Sequence, residues 1–139
     1  MNYLLDTCVV SALATKQPDQ KVVRWIDEIE EARLFLSVIT IGEIRKGIEK
    51  LRDPQRKAAL RAWLNEQLLV RFGERIVPVD TEVMLRWGEL TAALELVGKV
   101  MPAIDSLIAA TALHGGFALV TRNEEDFGHA GVTIINPWK

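Results

Sequence analysis

The stretch MPAIDSLIAATALHGGFALVTRN, residues 101–123, joins a helix rich in small residues to a buried strand through a double glycine. Pro102 suits a helix opening, Ile104, Leu107, Ile108, Thr111 and Ala112 fall on one side, and Gly115-Gly116 ends the run. Phe117 to Thr121 then reads as a strand. A helix whose inner face carries alanines is expected to lie close against a sheet. An α-to-β unit of this kind recurs in both directions along the chain.

Towards the N-terminus, Tyr3-Leu4-Leu5 is a short apolar run that ends in Asp6-Thr7, a buried strand opening into a helix. Residues 19 to 31 place Val22, Val23, Ile26 and Ile29 at helical spacing, and Leu34-Phe35-Leu36 is a second strand. Thr40 with Glu43 three residues on carries the pattern of a capping box before a helix through Leu51. Asp53-Pro54 starts the next helix, expected to run to about Phe72 with Gly73 closing it. Ile76 to Val79 is a third short strand. Asp80 or Thr81 caps a helix carrying Val83, Met84, Trp87, Leu90, Leu94 and Val97, which Gly98 stops. Val132 to Ile135 is a last strand before Asn136-Pro137-Trp138. Strands alternating with helices in this way predict a three-layer α/β/α sandwich around a mainly parallel sheet. In such folds the ligand site lies beyond the carboxyl ends of the strands.

A length of 139 residues suits a single domain able to bury its own core, so residues 1–139 are expected to form one unit. Hydrophobic residues at 49% and charged residues at 26% exclude disordered and collagenous classes. The opening MNYLLDTCVV has no basic leader and meets Asp6 at once, which argues against a signal peptide or membrane span and for a cytoplasmic location. Cys8 is the sole cysteine, so an intramolecular disulfide is excluded, and its apolar neighbours favour a buried, inert thiol. The net charge of −2 hides an uneven distribution, because residues 45 to 75 carry nine Lys/Arg against four acids. That basic stretch suits a phosphate backbone, although on charge alone a solvated helix face is the more ordinary reading.

Each acid near a strand end has an ordinary structural role. Asp6 can cap the helix after the first strand, Glu43 can complete a capping box, and Asp105 suits a first helical turn. Asn123 can cap a short turn with Asp126 three residues on. Their joint placement says more, since all five residues come out at one edge of the sheet. On a helical wheel Asp105 also lies only about 20° from Ala112 and about 40° from Ala109, on the sheet-facing side. Converging acids repel and raise one another's pKa unless a cation sits among them. Oxygen ligands without His or Cys point to Mg²⁺ or Mn²⁺ rather than zinc. His114 and His129 have no metal-binding spacing and read as surface or capping residues. An Asp after the first strand of an α/β fold also suits a haloacid-dehalogenase-like phosphatase. That family usually has a second Asp two residues later, where Cys8 stands.

These same residues resemble the PIN-domain family, and within it the FitB-like branch of VapC toxins. The resemblance runs through Leu4-Leu5-Asp6-Thr7, Leu36-Ser37-Val38-Ile39-Thr40-Ile41-Gly42-Glu43, Asp105-Ser106-Leu107-Ile108-Ala109-Ala110-Thr111-Ala112, Val120-Thr121-Arg122-Asn123 with Asp126-Phe127, and Asn136-Pro137-Trp138. It implies an acidic site for one or two divalent ions, with Asp6, Glu43 and Asp105 as the best-marked acids. Asn123 stands where some relatives carry aspartate, which leaves Asp126 as the only carboxylate of the fourth motif, and Cys8 stands where many carry Asn. Thr7, Thr40 and Thr121 match hydroxyl positions that orient carboxylates or water.

The expected activity is hydrolysis of RNA phosphodiester bonds. Asp6 and Asp105 are the principal ligands, Glu43 a ligand or water-orienting base, and Asp126 an outer partner. Arg45 and Lys46, directly after Glu43, are candidates for the RNA backbone. The resemblance further implies a cognate antitoxin whose C-terminal segment reaches the acids, a homodimer, and a higher toxin–antitoxin assembly. The rival reading is a catalytically silent PIN-type module that binds RNA or protein.

Overall fold

The computed structural model describes residues 1–139. Its centre is a five-stranded sheet, all parallel, made of β1 (Tyr3–Leu5), β2 (Leu34–Ser37), β3 (Ile76–Val77), β4 (Ala118–Val120) and β5 (Ile134–Ile135) in the order β3-β2-β1-β4-β5. The strands are two to four residues long, shorter than the apolar runs suggest, because pairing stops where each chain turns into its helix.

Alternation along the strands divides the core between two faces. Leu5, Leu34, Leu36 and Val120 face α1 (Thr7–Leu13), α2 (Gln20–Glu28), α3 (Val38–Glu49) and the helix that begins with α4 (Pro54–Trp63). Leu4 and Leu119 face α7 (Ala103–Gly115) and α8 (Glu124–Phe127), with α6 (Thr81–Leu96) packed along α7. Right-handed crossovers dictate this division. The chain moves one way along the sheet from β1 to β3 and the other way from β3 through β4 to β5, so its helices fall on opposite faces. The three-layer arrangement expected from the sequence is the one observed.

Three local details position the site. Ala109, Ala110 and Ala112 are wholly buried, which brings α7 close to β1 and β4. Gly116, at φ +68°, ends α7 in the left-handed region that favours glycine, and a Cβ on Gly115 would run into the Phe117 ring as it now stands, so the double glycine suits the chain reversal into β4. The third detail corrects an expectation. Ser37, not Thr40, caps α3, its Oγ accepting from the Ile39 N–H at 3.1 Å, and the helix starts at Val38. Thr40 and Glu43 therefore sit inside the helix, and no capping box forms.

The long helix expected from Asp53 to Phe72 is present as α4 and α5 (Leu69–Phe72) joined by a π turn at Leu64–Leu68. The sequence explains the widening. Buried Leu64, Leu68 and Phe72 are spaced by four, and in a regular α-helix each step of four rotates by about 40°, which would carry Phe72 off the core. One wider turn restores the phase. Deleting exposed Glu66 from that turn should leave these side chains at regular α-helical spacing. Urea unfolding is expected to show a smaller loss than for Leu68→Ala, which should cost about 2–5 kcal/mol. The opposite order would mean that the π turn itself, not its phase, is needed.

Candidate active site

The sheet order reverses between β1 and β4, the topological switch point at which open α/β folds hold ligands. Asp6 leaves β1 there with its N–H still donating to the Val120 carbonyl at 2.9 Å. Its carboxylate caps α1, Oδ1 accepting from the Thr7 N–H at 2.9 Å, while Thr121, leaving β4, donates its hydroxyl to Oδ2 at 2.8 Å. Asp6 is only 5% exposed, and the cap and the site are the same interaction.

The hydroxyls extend this arrangement outward. Thr7 donates to Glu43 Oε1 at 2.5 Å, and buried Thr40 lies 3.2 Å from the same hydroxyl, so α1 and α3 are tied at the site. Thr121 Oγ1 also accepts from the Asn123 N–H at 3.0 Å. Asn123 occupies the N-cap position of α8, but its exposed side chain makes no capping bond, contrary to expectation. Asp126 lies exposed in α8, and Asp105 is half-buried in the first turn of α7. Sequence reasoning passed over Ser106. Its hydroxyl accepts from Trp87 Nε1 at 2.8 Å and donates to the Ala103 carbonyl, which fixes the turn carrying Asp105.

Electrostatics shows that the acids share one neighbourhood. Burial pushes the Asp6 carboxyl above its usual range against the pull of Thr121 and Thr7, and the charge of Glu43 adds to the rise. Asp105 is raised by burial first, then by the charges of Asp6, Asp126 and Glu43. None of the molecule's ion pairs involves these four acids. A buried carboxylate served only by neutral donors and faced by other acids lacks positive charge, and a hard divalent cation fits that deficit. The set is open: no three acids, His or Cys converge to hold an ion directly. That suits an ion which keeps several waters and takes one or two carboxylates, as Mg²⁺ does. Cys8 is half-buried rather than enclosed, its Sγ 3.5 Å from Thr121 Oγ1, and burial pushes its thiol up, away from reactivity. His114 and His129 are exposed.

Much of the basic segment serves the fold. Arg45 and Arg61 both pair with Glu49, and Arg71 and Arg75 both pair with Glu31. Glu49 is held down to about 2, chiefly by Arg61, and Glu31 to about 2, chiefly by Arg71. Lys46 and Lys50 make no such pair and line a groove of about 550 Å³ with Glu43 and Ile104. Of the two cations after Glu43, Lys46 faces the site while Arg45 is turned to Glu49.

The sequence profile described as "PIN domain" matches residues 3–132. The chain belongs to the PIN-domain family. Within it, the chain is 36% identical to the VapC ribonuclease Y4jK of Sinorhizobium fredii, covering 98% of this chain and 97% of that one. It is 35% identical to the toxin FitB of Neisseria gonorrhoeae over 97% of both chains. The crystal structure of FitAcB from N. gonorrhoeae superposes with a TM-score of 0.93 at 34% identity, over 98% of each chain. This PIN domain has no helix long and apolar enough to cross a membrane.

A raised carboxyl binds its proton more tightly in the folded chain, so ionisation costs stability as pH climbs from about 4, the unfolded value, through the folded one. In chelator at pH 7, Asp105→Asn is therefore expected to melt a few degrees above the parent, with a smaller gap at pH 5. Mg²⁺ should raise the parent more than the variant. Scanning fluorimetry across these conditions checks it; a variant that melts lower in chelator at pH 7 would show that crowding of the acids does not burden the fold.

Proposed function

We propose that this chain is an Mg²⁺- or Mn²⁺-dependent endoribonuclease, a single nuclease domain over residues 1–139, acting in the cytoplasm as the toxin of a toxin–antitoxin pair. The observation that carries this reading is the cluster of Asp6, Glu43, Asp105 and Asp126 at the switch point, without a cationic partner. Full-length similarity to a VapC ribonuclease and to the toxin FitB supports RNA as the substrate and a cognate antitoxin as the partner.

Asp6 and Asp105 are the principal ligands in this reading, with Glu43 and Asp126 acting directly or through water. The ion, when bound, supplies an acidic water and positive charge against the phosphoryl oxygens. The chain's own groups do the rest. The Thr7 N–H and Thr121 hydroxyl hold Asp6 in one orientation, and the Thr7 hydroxyl holds one oxygen of Glu43, leaving the other free to take a proton from the attacking water. Lys46, with Lys50 one turn on, receives the phosphate backbone in the adjoining groove, and Arg45 has a secondary part. Thr40 and Asn123 support the hydroxyl and amide lining of the site. Strongly exposed Leu85, Leu96, Val97 and Val100 support pairing with a second copy or assembly with the antitoxin.

Purified chain is expected to cut RNA with Mg²⁺ or Mn²⁺ and to stop in chelator. Asp6→Asn and Asp105→Asn should each slow cleavage by orders of magnitude while circular dichroism stays unchanged. Equal cleavage in chelator would refute the metal requirement, and metal binding without turnover would favour the silent module.

The fourth ligand has its own test. If Asp126 supplies charge, Asp126→Asn should weaken Mn²⁺ binding in calorimetry more than Asn123→Ala. The reverse order would assign that place to Asn123.

A further inference from the structure

The closing Asn136-Pro137-Trp138 takes no part in the acid cluster, yet the sheet delivers it to the same edge. Ile135 of β5 pairs with Val120 of β4, so the chain leaving β5 runs beside the residues leaving β4. Asn136 pins the tail. Its Oδ1 accepts from the Trp138 N–H at 3.0 Å, and its Nδ2 donates to Glu124 Oε2 at 3.0 Å, the oxygen that also pairs with Lys139 at 2.7 Å.

Arg122, the residue after Thr121, lays its guanidinium over the Trp138 ring, 4.1 Å from the ring centroid. It is exposed and has no carboxylate within ion-pair range. Trp138 Nε1 is the one buried side-chain polar atom without a hydrogen-bond partner. The indole therefore makes no side-chain hydrogen bond within the protein, and its face, the best aromatic face for a cation, is what meets Arg122. The outcome is a guanidinium seated over a ring whose backbone is itself pinned by Asn136, with less freedom left to lose on binding.

Arg122 and Trp138 line a cleft of about 590 Å³ together with Cys8, Ser11, Thr15 and Asp19. Cys8 joins it to the acid cluster, since its Sγ lies 3.9 Å from Asp6 Oδ2. Charge decides what such a cleft accepts. A phosphate entering it would be attracted by Arg122 but repelled by Asp19 and the nearby Asp6, whereas a neutral base can use the Arg122 face without that repulsion. One Asp19 oxygen is taken by the Lys21 N–H, which leaves the other to accept.

We propose that this cleft is a base-binding subsite, in which a nucleobase of single-stranded RNA beside the scissile bond stacks on the Arg122 guanidinium backed by Trp138. Ser11, Thr15 and Asp19 offer donors and acceptors to the base edge. The inference rests on the ribonuclease reading and extends it to a residue pair that the chemistry itself does not need.

The test measures fluorescence anisotropy of a short fluorescein-labelled single-stranded RNA of random sequence, and of an abasic ribose-phosphate chain of equal length, on the Asp105→Asn protein. That protein is expected to bind the base-bearing chain about tenfold more tightly than the abasic one. Adding Arg122→Lys should remove most of that preference while the salt dependence is kept, because charge stays and the flat surface goes. Trp138→Ala should do the same, and Trp138→Phe should retain the preference. A preference that persists through Arg122→Lys overturns the proposal. So does a loss seen only with Arg122→Gln and accompanied by a shallower salt slope, which marks a phosphate contact. If the parent cuts RNA but its Asp105→Asn form shows no base preference, the subsite alone falls; if the parent neither binds nor cuts RNA, the ribonuclease reading falls and takes the subsite with it.

Discussion

A carboxylate withdrawn almost wholly from water, held by one backbone N–H and one hydroxyl, is the interaction on which this molecule turns. Asp6 ties the end of β1 to the end of β4 through Thr121 and starts α1 through Thr7. Neither donor carries charge, so together they orient the anion without neutralising it. Burying an unpaired charge is costly; Glu43 adds to that cost at Asp6, and Asp105 is raised in its turn by burial and by the charges of Asp6, Asp126 and Glu43. A site built in this way is unfavourable when empty of positive charge and favourable toward any cation that fits. A divalent ion, or a basic side chain of a partner, is the kind of group that would meet this deficit.

The sheet makes that concentration of acids possible. Its order reverses at β1 and β4, which opens a crevice where two crossovers diverge to opposite faces. Alanines along α7 let the helix settle close to the strands, so that Asp105 reaches the same crevice from the opposite layer to Glu43. Each acid arrives from a different element. No element alone bears the repulsion, and packing across the whole core holds the arrangement against it.

The basic segment shows a division of labour hidden by its composition. Arg61 joins α4 to Glu49 of α3, and Arg71 and Arg75 reach back to Glu31, which leaves those cations committed to the fold. Lys46 and Lys50 remain unpaired along the groove beside Glu43. A surplus of positive charge in sequence became a structural brace at some positions and an open surface at others. Only the positions of the acids in space separate the two.

Periodicity and local chemistry alone determined the alternation of strands and helices, the strand order of appearance and most helix limits, because each depends on residues within a few places of one another. Asp53, Asp80 and Gly116 act at the ends where their side chains or backbone freedom place them. Local reading failed where a distant residue competed for the same group. Thr40 and Glu43 carry the pattern of a cap, but Thr7 claims Glu43 and Ser37 takes the cap. The π turn was not legible because which apolar residues of this helix are buried is decided by packing, and only once Leu64, Leu68 and Phe72 are known to share the core does their spacing call for a wider turn. The bond from Thr121 to Asp6, the pairing of Arg45 with Glu49 in place of the site, and the stacking of Arg122 on Trp138 were likewise decided by tertiary structure. A side chain's nearest partner along the chain and its nearest partner in space coincide in helices and turns. At a sheet edge where five strands converge they do not, and there the packed fold alone chooses between them.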